Sequence, residues 1–110
     1  MSDQLEVLIH WEIGLLEDKL DELKKKLNTL MIDRNTAALR VIALQNAGLP
    51  YPSDVEGLET LDQRVANLVE EIRSTRRQIS AWGELLGNLS DPSIQSQVGP
   101  MIRTVELKQS

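Results

Sequence analysis

The chain has no cysteine, no phenylalanine, one tyrosine, one histidine and two tryptophans. Without cysteine, a disulfide framework and thiolate metal sites are excluded, and nothing implies an oxidising compartment. With His10 alone, a metal site would rest on carboxylates, and no calcium-loop spacing occurs. Catalysis needs a base beside a nucleophile, or paired carboxylates in a pocket. Asp18, Asp21 and Glu22 are close in sequence but fall on an exposed helix face, so no catalytic residue, cofactor or enzymatic activity is expected. No apolar run approaches the ~20 residues needed to span a bilayer. The opening "MSDQLEVLIHWEIG" is acidic before its apolar run, unlike a secretory signal. The expectation is a soluble, cytoplasmic protein. A net charge of −5 argues against nucleic acid as the main partner.

What remains is aliphatic and charge-rich: 41% of the residues are apolar and 26% charged. With long periodicity, that composition marks packed helices. One row advances in alternating steps of four and three through Ile9, Ile13, Leu16, Leu20, Leu23, Leu27, Leu30, Arg34, Ala37, Val41 and Leu44. A second row does the same through Leu58, Leu61, Val65, Leu68, Ile72, Thr75, Ile79, Trp82, Leu86 and Leu89. This is the spacing of helices that pack knobs into holes.

The predicted fold is all-α. A long helical hairpin of two heptad-patterned helices, joined by a Pro-rich loop, assembles into a coiled-coil or four-helix-bundle oligomer. Residues 1–89 form the hairpin domain, with helix 1 at about 3–46, the loop at 47–53 and helix 2 at about 54–88. Residues 90–110 supply a short C-terminal helix and a tail. Ser2 or Asp3 suits the first N-cap, and Gly48 suits a left-handed C-terminal cap. Pro50 and Pro52 stop further helix. Ser53 or Asp54 would cap helix 2. "SDPS" at 90–93 predicts a third helix with Pro92 in its first position, ended by Gly99 and Pro100.

The short loop favours antiparallel neighbours, and charge distinguishes two registers. With Leu44 level with Leu58, Arg40 meets Arg64, Asp33 meets Glu71 and Lys24 meets Arg76, all like-charged. Slid by one heptad, so that Ala37 is level with Leu58, Asp33 faces Arg64, Lys26 faces Glu71 and Glu17 faces Arg76. All three attract, so the slid register is predicted. In that register helix 1 overshoots, leaving Val41 and Leu44 for Leu49, Tyr51 and Val55 or another chain to cover. A parallel pairing of helix 1 through its seam sets Glu12 against Glu17 and Lys19 against Lys24. The same test on helix 2 sets Glu71 against Arg76, which keeps a parallel helix 2 pair as a rival.

Helix 1 carries more apolar surface than one seam uses. Val7, Leu8, Trp11 and Leu15 form one outer set, and Ile32, Leu39 and Ile42 another. Asp18, Asp21, Glu22, Lys25 and Asn28 lie between them. Helix 2 offers chiefly Val69 and Leu85, with Trp82 in its seam. The outer sets are expected to be oligomer core, with a docking face for another protein as the alternative. A membrane-surface helix fits less well, because the polar face carries Glu6, Glu12, Glu17 and Asp18 rather than Lys and Arg. Arg34, the one charge in the first seam, is either a register device or an arginine whose head reaches water. "KKK" at 24–26 and "RSTRR" at 73–77 form a solvated girdle that balances neighbouring acids.

These features point to a non-enzymatic helical oligomerisation or adaptor protein. It would pair with itself, as a dimer first and a tetramer next, and present an apolar helix face and its C-terminal tail to a protein partner. One alternative is a small acidic inhibitor, of the kind viruses encode, that occludes a larger enzyme. Another is a scaffold component of a viral or cellular assembly.

Overall fold

The computed structural model describes residues 2–102, with side chains from Gln4 onward. It is all-helical: α1 spans Ser2–Asn46, α2 spans Pro52–Gly87 and α3 spans Pro92–Met101. The cap expected from Ser2 or Asp3 falls on side chains outside the described residues. So does the expected tail beyond Ile102.

α1 ends as the glycine predicts. Gly48 takes φ 68°, the left-handed value that a side chain disfavours. The Gly48 amide donates to the Gln45 carbonyl at 3.2 Å, and Leu49 donates to Leu44 at 2.9 Å. That pair of bonds satisfies two carbonyls orphaned at the helix end.

α2 starts earlier than expected. Tyr51 occupies the cap position without a side-chain cap bond, and Pro52 opens the helix. Proline suits this position because its missing N–H would be unpaired there anyway and its φ is already helical. Ser53 and Asp54 therefore lie in the first turn rather than at the cap. Asp54 still sets negative charge at the positive end of the helix dipole.

α1 and α2 fold back on each other as antiparallel neighbours. Arg34 of α1 reaches Asp62 of α2. An open recess of about 560 Å³ between the helices is lined by Lys26 and Asp33 on one side and Arg64 and Glu71 on the other. These juxtapositions belong to the slid register. In the other alignment Arg34 would be level with Leu68. The expected charges share the recess without pairing closely. Among the described residues the only ion pairs within 4.0 Å are Arg34–Asp62 and, within α2, Arg73–Glu70.

Every seam position is buried or half-buried. Among the described residues the buried apolar side chains are Ile9, Leu23, Ile72 and Leu89. The most enclosed side chain is Thr75, at 1% exposure. Its hydroxyl donates to the Glu71 carbonyl at 2.8 Å, so the polar atom is buried without being orphaned. Near the hairpin tip Val41, Leu44, Tyr51 and Val55 are half-buried. Leu49, expected to help cover them, is instead 52% exposed. Its amide is tied to the end of α1.

α3 begins as "SDPS" predicts. Asp91 is its N-cap, accepting from the Ser93 amide at 2.9 Å and from the Ser93 hydroxyl at 2.9 Å. These bonds hold the Asp91 carboxyl below the usual carboxylate range, the backbone donor having the larger effect. The helix does not stop before Gly99-Pro100 but runs on to Met101. Proline disfavours helical backbone in the residue before it partly through that residue's Cβ, which Gly99 lacks. Gln95 Nε2 donates to the Leu89 carbonyl, tying α3 to the turn that follows α2.

The molecule is a rod of 79 × 32 × 18 Å with a radius of gyration of 23.1 Å. A compact chain of this length has a radius near about 13 Å.

Candidate functional site

Two helices can shield only the strip between them. The side of α1 turned away from α2 is therefore the place to look for function. Leu8, Trp11 and Leu15 succeed one another at helical spacings of three and four, Val7 lies four residues before Trp11, and the four form one patch on that side. Val7 is 66% exposed, Leu8 54%, Trp11 67% and Leu15 50%. Ile32, Leu39 and Ile42 are similarly exposed farther along the same side. The polar residues between Leu15 and Ile32 span about 25 Å at 1.5 Å per residue.

α2 presents a different outer face. Glu59, Gln63, Glu70, Arg77 and Glu84 are exposed there, while Val69 and Leu85 are half-buried. The hairpin thus has an apolar side on α1 and a polar side on α2.

Trp82 and Arg34 belong to the inner seam, not to this outer surface. Trp82 is half-buried. The Arg34 side chain is 34% exposed, and its Nε donates to Asp62 Oδ1 at 2.7 Å. Its Nη1 donates to Asn35 Oδ1 at 3.3 Å. The stem lies in the seam while the head reaches an acid and solvent.

Asp62 is a partner that sequence reasoning missed. It lies one position past Leu61, the residue level with Arg34 in the slid register. The exposed Met101 and Ile102 were missed as well. Their signal was an apolar pair directly after a proline.

The other candidates offer little chemistry. His10 is exposed. Among the described residues, no group of three or more His, Asp or Glu side chains is gathered closely enough to hold a metal. Lys24, Lys25, Lys26, Arg73, Arg76 and Arg77 are all exposed. Lys25 and Lys26 share the inter-helix recess with Glu71, so an acid lies within this basic girdle. Among the described residues no helix is long and apolar enough to cross a membrane. Comparison with protein families, characterised proteins and solved structures gave no match.

Proposed function

We propose that this chain is a non-enzymatic helical oligomerisation or adaptor protein, associating with itself and offering remaining helix surface to a protein partner. One observation carries the proposal: an apolar patch centred on Trp11 faces solvent on the side of α1 that α2 leaves uncovered. A contiguous exposed apolar patch on a soluble chain marks an interaction surface. Tryptophan contributes more to such contacts than most residues, because it buries a large rigid surface at small entropic cost.

The incomplete inner seam supports the same reading. Leu16, Leu20, Leu27 and Leu30 stay half-buried in a lone hairpin. A second hairpin laid beside it would supply the missing layer, as in four-helix bundles. The acidic-inhibitor alternative gains less, since one of the acids of α2, Asp62, is already engaged by Arg34.

Trp11→Ala tests the proposal. Trp11 is mostly exposed within one chain, so helicity should persist while association weakens by about tenfold or more. Full association after the change would remove the Trp11 patch from the interface. If association persists and only capture of a different protein is lost, the patch is a docking face.

A further inference from the structure

The outer face of α1 has an order that the self-association reading does not require. Its apolar sets lie toward the two ends. Between them the charges run acidic and then basic: Asp18, Asp21 and Glu22, followed by Lys25. All four side chains are exposed. Such an order complements its own reverse.

We propose that α1 packs through this outer face against α1 of a second copy, antiparallel, with Leu8 level with the partner's Leu39. The inference rests on the self-association reading above and assigns that interface its orientation and register. In this alignment Leu15 meets the partner's Ile32, and by symmetry each contact occurs twice. Trp11 comes level with the partner's Thr36, in the gap between the partner's Ile32 and the partner's Leu39. At the centre Glu22 is level with the partner's Lys25. Leu8 and Leu15 thus meet apolar residues, and Glu22 meets a base.

Neighbouring arrangements lose this match. Slid by one heptad one way, Leu15 meets the partner's Lys25 and Asp18 meets the partner's Glu22. Slid the other way, Ile32 meets the partner's Glu22. A parallel, in-register pair would stack Asp18 on the partner's Asp18 and Lys25 on the partner's Lys25. Like charges at such positions destabilise a helix pair.

The test uses the full chain and two kinds of variant. Glu22→Lys alone should weaken dimerisation by about tenfold, since each of two symmetric contacts turns from attraction to repulsion. Lys25→Glu alone should do the same. Combining both changes restores the pairing and should return affinity to within about threefold of the unaltered chain. Circular dichroism of each variant checks that the helices are retained.

The absence of native cysteine makes a second arm clean. Leu8→Cys and Leu39→Cys chains, mixed under mild oxidation, should cross-link to each other and not to themselves. In the proposed alignment two copies of position 8 are separated by about 46 Å along the helices, far beyond the ~7 Å between Cα atoms that a disulfide spans. Self-linking of Leu8→Cys would show a parallel pair and overturn the proposal. A stable dimer with neither rescue nor the mixed cross-link would also overturn it while leaving self-association standing. A monomeric unaltered chain would overturn both.

Discussion

Arg34 and Asp62 stand on facing helices, with the arginine Nε donating to the aspartate Oδ1 at 2.7 Å. The contact marks the hairpin register, but its position limits its energy. Half of the Asp62 side chain and a third of the Arg34 side chain remain in water, where ion pairs contribute at most about 1 kcal/mol.

Arg34→Leu is therefore expected to stabilise the fold by about 0.5–1 kcal/mol, because a leucine extends the apolar seam and only an exposed pair is lost. The oligomeric state should not change, since the arginine head already reaches water. Chemical denaturation with sedimentation checks both. A destabilised or heterogeneous product would show that Arg34 acts as a register device instead.

Gly83 lies inside α2, and a methyl group added there would meet nothing within 4 Å. Glycine in a helix interior costs about 1 kcal/mol relative to alanine. Gly83→Ala should raise stability by about that amount, measured by denaturant midpoint at unchanged slope. A loss of stability or of association would place another chain against this position.

Asp91 links α3 to pH. Its carboxylate accepts from Ser93, which lowers its pKa in the folded helix. A depressed folded pKa gives stability that is present above the unfolded value, near about 3.9. That stability is lost as pH falls through the lower folded value. α3 should therefore fray first in acid, seen as loss of protection or chemical-shift change at the Ser93 amide. Asp91→Asn should keep a cap that no longer responds to pH in this range, and Asp91→Ala should fray α3 at all pH. An unchanged Ser93 signal through the acid range would contradict the cap assignment.

Much of this fold was legible because helical packing is periodic. The rows from Ile9 to Leu44 and from Leu58 to Leu89 are the residues that turn inward, and Gly48 marks the end of α1 as only a residue tolerant of positive φ can. The charge signs also pointed to the register seen, although no ion pair of the three expected forms within 4.0 Å. What escaped the sequence was local. Tyr51 caps α2 because Pro52 is already set for a helix, and α3 continues through Pro100 because Gly99 removes part of the clash. The outer patch was legible as residues left over from the seam. What covers it was not, since an apolar stripe looks the same whether it meets a copy of itself or a different protein.

The central claim is that the uncovered side of α1 holds a second copy. Sedimentation equilibrium of the full chain at micromolar concentration tests it most directly. The account predicts a dimer of the 12.4 kDa chain, or a tetramer at higher concentration, dissociating when Trp11 is replaced by alanine. A single species of 12.4 kDa across the concentration range would contradict it and leave the Trp11 patch as a docking face for a different protein.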